Sequence, residues 1–130
     1  LTDHDDALYL AHITEAAGRI ERSTTGQGRE ALTADEDLCD ATLYRLQTLA
    51  ESTQRLSPEL KASHPEIPWE DIAGFRNRVV HGYLAVSLDI VWDVVKRDLP
   101  ALSRMARVEL TLRSREVPGR DRGDDLGIGR

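Results

Sequence analysis

The chain has 130 residues, 40% of them hydrophobic and 31% charged, with a formal net charge of −6. That is enough apolar material for one domain with its own core, and the single cysteine, Cys39, excludes an internal disulfide framework and fits a reducing, cytoplasmic setting. Net acidity argues against broad electrostatic attachment to nucleic acid but leaves room for a local basic site.

Arginine supplies nearly all the positive charge, with lysine only at Lys61 and Lys96. Its planar fork suits phosphate, although a biased genomic composition is the plainer reading of that count. No apolar run approaches the roughly 20 residues of a membrane span. The opening LTDHDD lacks the basic start and apolar stretch of a signal peptide. Leu1 stands where a Met would begin an untrimmed chain.

In chain order, Thr2 with Asp5 resembles a capping box, and Leu10, Ile13, Ala17 and Ile20 recur at helical spacing. A first helix is expected over 3–24, stopping before Thr25-Gly26. Residues 28–33 form a loop with at most a helical turn. A second helix is expected over 34–56, with Cys39, Leu43, Leu46 and Ala50 as its stripe and Thr42 and Leu49 widening it. Ser57-Pro58 is a cap followed by proline at the first helical position, so a short helix should cover 58–63. His64-Pro65 and Ile67-Pro68 stop it, because residues before proline avoid the α region.

Pro68 starts the next helix, over 68–81, with Ile72, Phe75 and Val79 as its core stripe and Gly82 ending or bending it. A last helical stretch begins near Ser87, with Leu88, Val91, Trp92 and Val95 facing inward. Pro100 removes a backbone donor there, which predicts a kink or restart before helix resumes through Leu112. From 113 to 130 glycine, arginine and aspartate dominate and periodicity vanishes, as in a disordered tail. No segment alternates with period two. The expected fold is all-α, a bundle of four or five helices over 1–112.

Most chemistry-bearing residues have plain readings. His4-Asp5-Asp6 lacks a second ligand at helical spacing and reads as the acidic first turn of a helix, so no metal is expected. Cys39 sits on an apolar stripe and reads as an inert core thiol. His64, in a proline-bounded loop, reads as a solvated loop residue. No glycine-rich phosphate loop and no nucleophile turn is present, and no cofactor is expected.

The stretch GFRNRVVHGYL, residues 74–84, is different. At about 100° per residue, Arg76 and Tyr83 point almost the same way on a continued helix, and Asn77 and His81 share the adjacent face. The stripe of Ile72, Phe75 and Val79 lies roughly opposite His81. Solvent, another helix or a second subunit must therefore meet the polar group. Such a group could cleave RNA without a metal. Histidine can move the proton off the 2′-hydroxyl or onto the leaving 5′-oxygen, arginine can hold a phosphate oxygen, and Asn77 can orient either. One helix offers one histidine, so two copies facing across a symmetry axis would complete a groove; a homodimer is expected. By spacing alone, a surface arginine and a histidine favoured by a helix C-terminus are the plainer reading of the pair, and Tyr83 could pack on Trp92 or Trp69 to cap the core.

The run IPWEDIAGFRNRVVHGY resembles the signature of the HepT family within the HEPN superfamily, on Pro68, Trp69, Arg76, Asn77, His81 and Tyr83. YLAHITEAAGRI, LAES around Glu51 and DIVWDVVKRDLPAL extend the resemblance over most of the chain. Ala50-Glu51-Ser52 stands where related sequences often have Gly-Glu-Ala, and the role of Glu51 is left open. The resemblance implies the toxin of a type VII-like MNT/HEPN toxin–antitoxin pair: a homodimeric, metal-independent endoribonuclease with Arg76, His81 and Asn77 at the interface cleft. It also implies a nucleotidyltransferase antitoxin of the MNT type that attaches AMP to Tyr83. The alternative is a non-catalytic helical module that binds a nucleotide or a partner.

Overall fold

The computed structural model describes residues 2–82 and 86–115, with side chains from Asp6 onward. Among these residues every regular element is helical: α1 (Thr2–Thr24), α2 (Ala31–Ala34), α3 (Glu36–Gln54), α4 (Pro58–Ala62), α5 (Trp69–His81), α6 (Leu88–Asp93) and α7 (Leu99–Arg115). The all-α bundle read from the sequence is the fold observed. α1 lies against both α3 and α7, and α3 against α5. Leu10, Ile13, Ala17 and Ile20 are fully buried, so the α1 stripe forms the centre of the core. Leu43, Leu46 and Leu49 of α3, Phe75 and Val79 of α5, and Val91, Trp92 and Val95 join it.

Helix boundaries follow local chemistry. Gly26 adopts φ 76, the left-handed conformation that closes α1 without a Cβ clash. The Asp35 carboxylate accepts from the Leu38 N–H and starts α3, two residues later than periodicity suggested. Ser57 caps α4, its hydroxyl accepting from Leu60 N–H at 3.2 Å ahead of Pro58. Pro100 produces no break. The adjustment precedes it, as a single π turn over Val94–Asp98 that hands α6 directly to α7. Widening that turn re-registers the backbone bonds ahead of the missing donor. α7 then runs to Arg115, past the Leu112 expected as its end.

Two polar clusters tie these elements together. Asp6 in α1 is 1% exposed and accepts from both the backbone N–H of Ser57, at 2.8 Å, and its hydroxyl, at 2.7 Å. The Arg113 guanidinium reaches the same carboxylate from α7 at 3.5 Å. Asp6, read as ordinary first-turn chemistry, is thus a buried junction of three elements.

His64 also departs from expectation. Its side chain is only 19% exposed, with Nε2 at 2.6 Å from Glu109 of α7 and Nδ1 at 3.1 Å from Glu66. Proline bounds the loop, but the ring turns inward because two carboxylates receive it. The Glu109 hydrogen bond, helped by Glu66, raises the imidazole above its ordinary 6.5 despite partial desolvation. Burial pushes Glu109 up, but His64 and Arg113 outweigh it and hold the carboxyl below its ordinary 4.5. The pair's stabilisation is therefore complete between pH 4.5 and 6.5. It is lost as pH rises through the raised His64 value, and again as pH falls through the lowered Glu109 value. Expected outcome: natural protein loses about 1 kcal/mol of stability on moving from pH 6 into the alkaline range. Glu109→Gln is expected to flatten that loss; denaturant titrations over the pH series check it, and an equal loss in both proteins would refute the assignment.

Candidate active site

α5 is placed by its two ends. The Trp69 indole N–H is shared between the Lys61 and His64 carbonyls, at 3.1 and 3.0 Å, which locks the helix start onto the preceding loop. Phe75 and Val79 then anchor the helix in the core. Gly82 closes it, its N–H donating to the Arg78 carbonyl at 2.8 Å, with φ −149 rather than a left-handed turn. The polar flank of α5 is set by this anchoring: burying the Ile72–Phe75–Val79 stripe turns Asn77 and His81 outward.

Arg76 leaves α5 on the side of α3. Its Nη2 donates to Glu51 Oε2 at 3.0 Å, and its Nη1 to Asn77 Oδ1 at 3.2 Å. Its Nε is buried with no hydrogen-bond partner. The guanidinium is therefore held in one pose, with donor capacity still unused. It borders a groove of about 520 Å³ at the meeting of α1, α3 and α5, lined also by Tyr9, His12, Glu51 and Arg55. Asn77 and the exposed His81 border a different hollow, of about 470 Å³, between the end of α5 and the approach to α6, with Val86 and Ile90 on its wall. Within one chain, then, Arg76 and His81 line different hollows, and Asn77, bonded to Arg76, borders the one that holds His81. Tyr83 lies outside the described residues. α5 ends at His81, so a helical register counted from Arg76 to Tyr83 is not carried by that helix.

Glu51, left without a role by the sequence, is the partner of Arg76. Twenty-five residues separate them, and no local spacing signals the pair. His12 and Tyr9 were equally unmarked, although their spacing places them on the flank of the α1 stripe. Cys39 is half-buried; burial first, then Asp40 and Glu36, push its thiol up, which leaves it protonated and weakly nucleophilic, as an inert core position would be. No helix among the described residues is long and apolar enough to cross a membrane.

The family model described as Ribonuclease HepT-like matches residues 13–108, a span that includes Arg76, Asn77, His81 and Glu51. Probable ribonuclease HepT of Thermococcus cleftensis is 33% identical over 94 residues, covering 72% of this chain and 86% of that protein. Putative RNase TTE0752 of Caldanaerobacter subterraneus is 27% identical over 99 residues, covering 76% and 88%. No solved structure matches. A helical bundle with these polar groups on α5, matched over most of its length by this family model, belongs to the HepT-like ribonuclease family of the HEPN superfamily.

Proposed function

We propose that this chain is a metal-independent endoribonuclease that acts as a homodimer and serves as the toxin of an MNT/HEPN toxin–antitoxin pair. The observation that carries the reading is the fixed guanidinium of Arg76, oriented by Glu51 and linked through Asn77 to the face that bears His81. In the reaction, the 2′-oxygen attacks the adjacent phosphorus as its proton passes to a base. The P–O5′ bond breaks, and the 5′-oxygen takes a proton from an acid. His81 fills either role in its protomer, and its symmetry mate fills the other. Arg76 neutralises charge gathering on the non-bridging oxygens, in a pose that needs no reorganisation.

A second copy would meet the α5 flank. Ile90, 44% exposed on the wall of the His81 hollow, and Val80, 39% exposed and next to His81 in the chain, would be covered by it. The antitoxin would be a nucleotidyltransferase that transfers AMP to Tyr83, three positions from Val80, and the added phosphate would compete with RNA for arginine. A reducing cytoplasm suits a chain with one cysteine.

Incubation of the purified protein with labelled single-stranded RNA in excess chelator tests this. Cleavage that leaves 2′,3′-cyclic phosphate ends is expected; a strict requirement for a divalent cation, or no cleavage at all, would overturn it. For regulation, intact mass after incubation with the nucleotidyltransferase and ATP should rise by AMP at Tyr83. Complete neutralisation with Tyr83 unmodified would assign inhibition to complex formation instead.

A further inference from the structure

The groove beside Arg76 does not end there. It shares His12 and Thr48 with a second concavity of about 400 Å³ along the α1–α3 seam, lined also by Arg19, Tyr44 and Arg45. Two arginines on these walls are compensated: Arg19 pairs with Glu15 at 3.4 Å and Arg76 with Glu51 at 3.0 Å. Among the described residues, Arg45 and Arg55 have no ion-pair partner. The seam thus carries uncompensated positive charge on a chain whose formal charge is −6. Tyr44, in the same seam, is 66% exposed, far more than a ring placed for packing.

We propose that single-stranded RNA flanking the scissile bond runs along this seam, with phosphates on Arg55 and Arg45 and a base stacked on Tyr44. The inference rests on the reading of Arg76 as the group that holds the scissile phosphate. Arg45 in α3 and Arg55 at its C-cap stand ten residues apart, about 15 Å at the helical rise, which is room for more than one phosphate. Charge selects a polyanion, and the aromatic platform selects one that carries bases. Continuity with Arg76 sets the direction: the strand enters at the Tyr44 end and passes His12 before it reaches α5. Net acidity elsewhere then disfavours binding by any other face, so a locally basic channel on an acidic protein gives selectivity for strands threaded through it.

The test uses the full chain and a fluorescent 2′-O-methyl RNA octanucleotide, which lacks the attacking hydroxyl and cannot be cut. Arg45→Gln combined with Arg55→Gln is compared with Arg104→Gln combined with Arg115→Gln, an equal loss of charge on the exposed side of α7. The seam pair should weaken binding at least tenfold. It should also reduce the slope of log affinity against log salt by about 1.4, since each phosphate contact on a single strand contributes about 0.7. Tyr44→Ala should weaken binding by about fivefold or more. The α7 pair should leave the affinity as it was. Equal effects from both pairs, or none from the seam pair, would overturn the inference while leaving RNA cleavage by the natural chain intact as evidence for the ribonuclease. A natural chain that neither binds nor cuts RNA would remove both.

Discussion

His81→Ala is expected to reduce metal-free RNA cleavage by about 10²–10⁴-fold, the range set by loss of a positioned general acid or base. Arg76→Ala should reduce it by about 10²–10³-fold, as removal of one preorganised group that stabilises developing charge does. Arg76→Lys should recover little, because an ammonium cannot keep the Glu51 and Asn77 bonds while also presenting a fork to phosphate. The structure separates these losses from unfolding. His81 is exposed at the end of α5, and the Arg76–Glu51 pair is partly solvated, so neither alanine variant should lose more than about 1 kcal/mol of stability. Mixing the two inactive variants sharpens the result further. The mixed dimer keeps a single His81 and should stay inactive, because each cleavage draws its acid and its base from the His81 of both protomers; full activity in either variant alone would remove the assignment.

The largest effect on stability is expected at Asp6. Asp6→Ala would leave the Ser57 N–H buried without an acceptor, strip the partner from the α4 cap and leave Arg113 with Glu109 alone. Loss of charge-assisted bonds around a buried carboxylate amounts to about 2–4 kcal/mol. Asp6→Asn keeps an acceptor for the Ser57 N–H and should lose about half as much. Because Asp6 and Ser57 act as one unit, the double variant Asp6→Ala, Ser57→Ala should lose clearly less than the sum of the two single losses. Midpoints of denaturant unfolding of the natural chain, the three single variants and the double variant measure this. A change under 0.5 kcal/mol in Asp6→Ala would show that the junction does not fasten α1 to α4 and α7.

How much of this was legible beforehand follows the range of each interaction. Leu10, Ile13, Ala17 and Ile20 announce α1 because a period near 3.6 is written in the chain itself, and all four are fully buried. Ser57-Pro58, the Pro68 start and the Gly82 stop are likewise local, since caps and missing donors act within one turn. Spacing places Arg76, Asn77 and His81 on one helix, and α5 carries all three, but Arg76 borders one hollow and Asn77 and His81 another, a division that packing sets.

What tertiary structure alone decided lies between elements. Glu51 meets Arg76 only because α3 packs on α5, and His64 turns inward only because α7 brings Glu109 to it. Asp6 has its role because three chain segments far apart in sequence converge on one carboxylate. Pro100, which by itself forbids one backbone bond, was absorbed by a π turn one step earlier, a choice the packed core around Val95 and Leu99 makes available. Local periodicity and capping thus determined where helices form and which face each buries. Long-range packing determined which polar groups meet, because a hydrogen bond between distant residues leaves no spacing in the chain to be read.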